Sequence, residues 1–183
     1  MARVFSATLI AVCIWLSAFR LASCEGEDQN PDIVDAFKVY ESFPYVLALY
    51  DIDNDGDLDC LNAVRTDLEK EPRSATYTLS LKDKDLQNIR IYTYYLTPGP
   101  TPDTTVVIID NDYEHPLTNR IAYTDYEKCS VMEFPINQRE VCVMWVRDSV
   151  KDEVPETCVA QYQKNCREAT PVYDKDSCEG LIY

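Results

Sequence analysis

The stretch that decides the fold spans residues 76–109 and reads TYTLSLKDKDLQNIRIYTYYLTPGPTPDTTVVII. Residues 76–81 alternate between hydroxyl-bearing side chains and large apolar or aromatic ones, and residues 88–95 alternate again. Residues 104–109 are rich in β-branched side chains, and Pro98-Gly99-Pro100 marks a turn before them. A period of two residues predicts three consecutive strands. The alternation does not say which face of the second strand points inward.

Short segments of the same kind lie on both sides of this stretch and raise the expected number of strands to about eight. They are residues 45–50, 61–65, 120–124, 129–134 and 141–146. Eight antiparallel strands can close on themselves, which removes the exposed edges of the sheet. The sequence therefore predicts a mainly β protein with an eight-stranded antiparallel barrel, a size that can hold one small ligand.

Two helices are expected beside the barrel. The first begins with Asn30 as its cap and Pro31 as its first helical residue, and it ends before Pro44. Ile33, Phe37 and Tyr40 would share one face of it. The second begins at Val154-Pro155-Glu156 and runs to about Asn165, so that Val159, Tyr162 and Cys166 can face the outside of the barrel.

The chain begins like a secretory signal peptide. Met1-Ala2-Arg3 is a short basic start, residues 4–19 carry no charge, and Ala22-Ser23-Cys24 has small residues at an expected cleavage site. We therefore expect residues 1–24 to be removed, leaving residues 25–183 as one domain of a secreted, extracellular protein. Leu21-Ala22-Ser23-Cys24 also fits a bacterial lipoprotein box, in which case a lipid would anchor the chain.

Charge and cysteine content narrow the class further. The net charge of −15 becomes −17 when Arg3 and Arg20 are removed, which excludes nucleic acid and anionic membranes as partners. Six cysteines remain after residue 24, an even number that indicates a disulfide framework. Parity favours cleavage after Cys24, although the residues themselves leave the pairing open.

The sequence offers no convincing catalytic group. His115 is the single histidine and precedes Pro116 in an expected turn, and the cysteines are expected to be paired. Carboxylates are too abundant in so acidic a chain to mark a site. We therefore expect a protein that is not an enzyme and needs no cofactor.

An acidic segment resembles a calcium-binding loop. Residues 51–62 place acids at loop positions 1, 3, 5, 7 and 9 and a glycine at position 6, as an EF-hand loop does. The twelfth position holds Asn62 in place of a glutamate, and the flanks read as strands. An acidic turn between two strands is the alternative, and we assign no metal site.

Several motifs follow one another in a fixed order along the chain. They are Asp35-Ala36-Phe37-Lys38, Tyr50 with Asp53, Ile121-Ala122-Tyr123-Thr124-Asp125 with Cys129, Trp145, Val154-Pro155 with Cys158, and Tyr173-Asp174 with Cys178. In this combination the chain resembles the histamine-binding lipocalins of tick saliva. The resemblance implies a lipocalin barrel with the second helix packed outside it. It also implies the disulfides Cys60–Cys178 and Cys129–Cys158, and it leaves Cys142 and Cys166 to pair.

The resemblance also implies a ligand site. Its members are Tyr50 and Asp53, Trp145, and five positions where this chain departs from the family pattern. Ser130 and Val143 stand where the family has acids, and Val107, Ile109 and Leu117 fall near its aromatic positions. An ammonium ligand requires such acids, so the expected lumen is more aliphatic than that of an amine binder.

The function implied is sequestration of a small host mediator by a monomeric barrel, which suppresses inflammation. The family favours a biogenic amine such as histamine or serotonin. The substitutions favour a lipid such as an eicosanoid, a fatty acid or a sterol. A third possibility is that the outer surface inhibits a host protein such as a complement or clotting factor.

Overall fold

The computed structural model describes residues 33–51, 58–82, 88–136, 139–166 and 170–173, together with Cys178. Its elements are the helices α1 (Ala36–Ser42) and α2 (Glu156–Cys166), a single 3₁₀ turn (Asp148–Val150) and the strands β1 (Tyr45–Asp51), β2 (Asn62–Lys70), β3 (Arg73–Lys82), β4 (Ile89–Pro98), β5 (Thr104–Ile109), β6 (Leu117–Thr124), β7 (Cys129–Ile136), β8 (Arg139–Val146) and β9 (Thr170–Pro171).

Strand β1 closes the barrel. Consecutive strands from β2 to β8 pair antiparallel with one another, and β1 pairs with both β2 and β8. Tyr45 lies opposite Val64 on one side, and Leu47 lies opposite Val146 on the other. The short β9 pairs with the end of β1. The expected eight-stranded antiparallel barrel is confirmed.

The register of β3 against β4 decides which face of β4 points inward. Residues directly opposite each other in a ladder share a face of the sheet. Tyr94 lies opposite the buried Tyr77, so Tyr94 points into the barrel. The alternate residues Ile89 and Ile91 consequently point outward, where 48% and 58% of their surfaces are exposed.

The first helix begins later than the sequence predicts. Asp35 is its cap, and its carboxylate accepts hydrogen bonds from the backbone N–H groups of Phe37 at 2.9 Å and Lys38 at 3.3 Å. Ile33 precedes the helix and is exposed, so the expected face that included it was wrong. A carboxylate on extended backbone satisfies the first free N–H groups and fixes the start at Ala36. Asn30 and Pro31 lie outside the described residues.

Helix α1 plugs one end of the barrel. Val39 and Tyr40 of this helix, and Phe43 directly after it, are buried. The backbone carbonyls at its C-terminal end accept hydrogen bonds from two arginines of the barrel. Arg65 donates to the carbonyls of Tyr40 and Glu41, and Arg147 donates to that of Ser42 while its guanidinium lies over the Phe43 ring. Cations at this position also complement the helix dipole.

Helix α2 packs outside the barrel, as expected. The buried residues between it and the wall form an outer core, consisting of Leu47, Leu49, Cys129, Val131, Cys142, Met144, Val146, Cys158, Tyr162 and Cys166. Val159 packs at the margin of this core. Among the described residues, no helix is long and apolar enough to cross a membrane.

Three disulfides join described residues, and they are the pairs that the resemblance implies. Cys129–Cys158 and Cys142–Cys166 attach α2 to β7 and β8. Cys60–Cys178 joins the residues before β2 to the C-terminal segment, across a sequence separation of 118 residues.

Loss of the disulfide that closes the longest loop should cost more stability than loss of the one that closes the shortest loop. The chain-entropy model gives about 5 kcal/mol for the loop closed by Cys60–Cys178 and about 3.5 kcal/mol for the loop closed by Cys142–Cys166. We expect the variant Cys60→Ser/Cys178→Ser to unfold at a lower guanidinium concentration than Cys142→Ser/Cys166→Ser. An equal or smaller loss in the first variant would contradict this account.

The turn between β6 and β7 is organised by one carboxylate. Asp125 Oδ1 accepts hydrogen bonds from the backbone N–H groups of Glu127 at 3.0 Å, Lys128 at 2.7 Å and Cys129 at 3.0 Å. Partial burial would raise the pKa of Asp125, but these donors outweigh it and hold the pKa below its usual value. The charged form of Asp125 therefore stabilises the folded state.

Substitution Asp125→Ala should destabilise the protein in a pH-dependent way. We expect a loss of about 1 kcal/mol near neutral pH, at the low end for charged hydrogen bonds because the carboxylate is partly solvated. Because the folded pKa is depressed, the stabilisation is complete above the unfolded pKa of about 3.9 and disappears as pH falls through the folded pKa. Urea unfolding of wild type and variant from pH 7 to pH 3 measures the difference. The exposed neighbour Glu127→Ala is the control and should show no such convergence.

Candidate ligand-binding site

The two ends of the barrel differ. Helix α1 and the turns β2–β3, β4–β5 and β6–β7 meet at one end. The Ala36 N–H donates to the Pro102 carbonyl at 2.8 Å, the Asp35 N–H donates to the Tyr126 hydroxyl at 3.0 Å, and Arg73 pairs with Asp35 at 3.4 Å. The described residues therefore close this end of the barrel.

A deep cavity lies beneath α1. Within this cavity, the centre of a water-sized sphere can occupy a volume of about 60 Å³. Its walls come from α1 and from the inward faces of seven strands, and they are Val39, Tyr40, Phe43, Val46, Ala63, Tyr77, Leu79, Tyr94, Leu96, Asn119, Ser130, Met132, Phe134 and Trp145. This described lining contains no carboxylate, lysine, arginine or histidine. The deep cavity is therefore an apolar, aromatic and uncharged space.

The few polar groups of the deep cavity mostly bond to one another or to the backbone. The Tyr40 hydroxyl lies 3.0 Å from Thr105 Oγ1, and Asn119 Nδ2 donates to the Tyr40 oxygen at 3.2 Å. The Tyr77 hydroxyl donates to the Phe43 carbonyl at 2.7 Å. Burial raises the pKa of Tyr40, although its bonds to Thr105 and Asn119 partly oppose this, and burial also raises that of Tyr77. Both phenols therefore stay neutral.

Trp145 is the exception among these groups. Its side chain is 5% exposed, and its ring packs on Phe134 with 5.6 Å between centroids. Its indole N–H is buried without a hydrogen-bond partner among the described residues. An indole nitrogen can only donate.

At the opposite end of the barrel, described residues border a wider cleft that carries charge, which we call the mouth. Its walls are Tyr92, Tyr94, Ile109, Asp110, Asp112, His115, Leu117, Thr118, Pro135 and Glu140. The ladder between β6 and β7 starts at Arg120 opposite Glu133, so the preceding part of β6 is not paired with the end of β7 in the described register. The mouth extends into this gap.

Tyr94 separates the mouth from the deep cavity and lines both. Its hydroxyl donates to the backbone carbonyl of Pro135 at 2.6 Å. Because β5 and β6 lie between β4 and β7 in the sheet, this bond crosses the lumen. Burial raises the pKa of Tyr94, so the crossing bond is made by a neutral phenol.

Comparison with known proteins identifies the family. The model of the family described as tick histamine binding protein matches residues 24–180. The chain belongs to the tick histamine-binding protein family. No curated protein sequence matches the chain closely enough to count as a relative.

Solved structures similar to this tick lipocalin have the same fold at low sequence identity. The serotonin complex of AM182 is 17% identical with a TM-score of 0.58, over 78% of this chain and 91% of that one. Japanin from Rhipicephalus appendiculatus, bound to cholesterol, is 12% identical with a TM-score of 0.52, over 73% of this chain and 94% of that one. The cockroach allergen Per a 4 is 16% identical with a TM-score of 0.53, over 78% and 92%. The family consists of ligand-binding lipocalins, not enzymes.

The structure of this family member brings together some of the site residues named from the sequence. Ser130 and Trp145 line the deep cavity. Val107 and Val143 are fully buried in the same inward-facing core, outside the cavity lining. Ile109 and Leu117 lie at the mouth.

Two further residues named from the sequence are not with these groups. Tyr50 packs against the outer core, 5.9 Å from the Tyr162 ring of α2, because the pairing of β1 with β8 shifts between Ala48 and Tyr50. This differs from the expected position in the lumen. Asp53 lies outside the described residues, as does most of the acidic loop. Asn62, the twelfth residue of that loop, is buried, and its Oδ1 accepts from Ser80 at 3.0 Å.

Much of the cavity wall was not predicted from the sequence. Val39 lies in α1 and Phe43 directly follows it, and this helix was not expected to reach the ligand. Asn119 precedes the segment predicted as β6. The alternation of residues 76–81 does carry the signal for Tyr77 and Leu79, which share its apolar face.

Substitution Tyr94→Phe should loosen the separation between mouth and cavity without removing the ring. It deletes the buried hydrogen bond from the phenol to the Pro135 carbonyl, so we expect a loss of about 1 kcal/mol in unfolding free energy. Stopped-flow measurements should also show a fluorescent apolar probe entering and leaving faster than in wild type. Unchanged exchange rates would show that the bond does not restrict access. Tyr95→Phe, on the outer face of the same strand, is the matched control.

Proposed function

We propose that this protein is a secreted tick lipocalin that sequesters a small apolar or amphipathic host molecule inside its barrel. One observation carries this proposal: the described lining of the deep cavity is apolar and aromatic and contains no ionisable group except phenols. Burial of apolar ligand surface in such a space is favourable, and binding removes a host signalling molecule from solution.

The same lining disfavours an amine in the deep cavity. A buried ammonium needs a carboxylate partner, because an unpaired buried charge costs several kcal/mol. By the resemblance, Ser130 and Val143 fall at the two positions where the family pattern has acids. The Ser130 hydroxyl donates to the Tyr123 carbonyl at 3.2 Å, and Val143 offers only hydrocarbon. Japanin supports the proposal in general terms, since it has this fold and its solved structure is bound to cholesterol.

A biogenic amine bound at the mouth is the second candidate. Asp110, Asp112 and Glu140 line the mouth beside Tyr92, which provides carboxylates and an aromatic face for a cation. The family name and the serotonin complex of AM182 agree with an amine ligand. Two of these acids are already engaged. Asp110 accepts from the Thr93 N–H at 2.7 Å, and both oxygens of Asp112 lie 3.0 Å from His115 Nδ1.

Secretion and a monomeric state are parts of the same proposal. The signal-like residues 1–24, the three disulfides and the family support an extracellular protein. Closure of the barrel removes the sheet edges through which two copies could pair. Sequestration inside a monomer needs no further partner.

Ligand titrations distinguish the two candidates. With the oxidised chain from residue 25 onward, we expect a fluorescent sterol to bind and histamine and serotonin to bind at least about tenfold more weakly, a difference of about 1.4 kcal/mol. Calorimetry measures the amines and fluorescence titration measures the lipids.

A variant with substitutions at the mouth shows whether a strongly bound amine lies there. Asp110→Asn/Asp112→Asn/Glu140→Gln removes the carboxylates of the mouth and leaves the deep cavity intact. Sub-micromolar histamine or serotonin binding that this variant abolishes would establish the second candidate. Equally strong binding in the variant would place the amine elsewhere and overturn the proposal, as would failure of every apolar probe to bind.

A further inference from the structure

We propose that the lumen ligand is a neutral apolar molecule carrying an acceptor oxygen, a carbonyl or a hydroxyl, which accepts a hydrogen bond from the indole N–H of Trp145. This inference rests on the proposed function and specifies the chemical group by which the ligand is recognised. It depends on the state of each polar group around the deep cavity.

The indole N–H of Trp145 is the unsatisfied polar atom of this cavity. Among the described lining residues, the side-chain oxygens and nitrogens of Tyr40, Tyr77, Tyr94, Asn119 and Ser130 all have hydrogen-bond partners. The N–H of Trp145 has none, although its residue is 5% exposed. Buried polar groups are nearly always paired, so an unpaired donor on a cavity wall indicates a missing acceptor.

The residues across the ladder from Trp145 do not provide that acceptor. Ser130 lies directly opposite on β7, but its hydroxyl is directed to the Tyr123 carbonyl. Ala48 lies opposite on β1 and has only a methyl group. Phe134, whose ring packs on the indole, has no acceptor side chain either. The indole nitrogen itself has almost no accessible surface, so an acceptor in the deep cavity reaches it through a small shift of the Trp145 ring or of its neighbours.

The chemistry of the donor and its surroundings limits the ligand. An ammonium group has donors only and cannot pair with an indole N–H. A carboxylate could accept this bond, but the described lining has no cation to balance a buried negative charge. A neutral carbonyl or hydroxyl accepts the bond without burying charge. The remaining apolar walls then suit the hydrocarbon part of the molecule.

A series of probes with the same chain length and different head groups tests this inference. The probes are octane, 2-octanone, octanoate and octylamine, and displacement of an environment-sensitive dye gives their affinities. Because one hydrogen bond contributes roughly 0.5–1.5 kcal/mol, we expect 2-octanone to bind up to about tenfold more tightly than octane. Octanoate and octylamine should bind more weakly than 2-octanone.

Trp145 offers a direct spectroscopic readout. It is the only tryptophan from residue 25 onward, so the secreted chain gives a single indole signal in a ¹H–¹⁵N correlation spectrum. We expect 2-octanone to move the indole proton downfield and octane to leave it nearly in place. The substitution Trp145→Phe keeps an aromatic ring and removes the donor, so it should abolish the preference for 2-octanone over octane.

The outcomes separate this inference from the proposed function. Binding of 2-octanone and octane with equal affinity, and with no downfield shift of the indole proton, would overturn the inference and leave an apolar-ligand lipocalin. A preference for 2-octanone that persists in Trp145→Phe would also overturn it. Failure of all four probes to bind would reject the proposed function itself. The spectrum is recorded on wild type, so the inference remains testable if Trp145→Phe does not fold.

Discussion

The double pairing of β1 is the constraint on which the rest of this structure depends. This strand hydrogen-bonds to β2 on one side and to β8 on the other, which turns a meander of strands into a closed wall. Closure gives hydrogen-bond partners to the backbone groups of both sheet edges, and it also encloses the lumen of the barrel. Every property of the deep cavity, including its lack of charge, follows from which side chains this closure turns inward.

In the described structure of this acidic chain, the charged side chains lie outside the deep cavity. The net charge is −15, yet the described lining of the deep cavity holds no acid. Carboxylates appear at the mouth and at turns, where water or backbone N–H groups solvate them, as at Asp110 and Asp125. Under the proposed function, apolar burial and neutral hydrogen bonds determine which ligand the lumen accepts, while the charged groups stay in contact with water or backbone donors.

Sequence patterns predicted the fold better than the site. Alternation over residues 76–81 gave the inner face of β3, and β5 has the bounds that its β-branched residues predict. The inner face of β4 depends on its register with β3, which a single strand cannot reveal. Tyr50 was misplaced for a related reason, because the irregularity after Ala48 interrupts the alternation of β1. The start of α1 depends on Asp35, which caps the helix, whereas the sequence predicted Asn30 as the cap.

The placement of the disulfides gives the barrel two mechanically different halves. Cys129–Cys158 and Cys142–Cys166 rivet α2 across β7 and β8, whereas β3 to β6 are held within the described structure by hydrogen bonds and packing. One half of the wall is thus braced by disulfides, whereas the other is held by noncovalent contacts. The unpaired gap between β6 and β7 lies along the seam between them. The braced half includes β8, so the disulfide Cys142–Cys166 restrains the strand that carries Trp145.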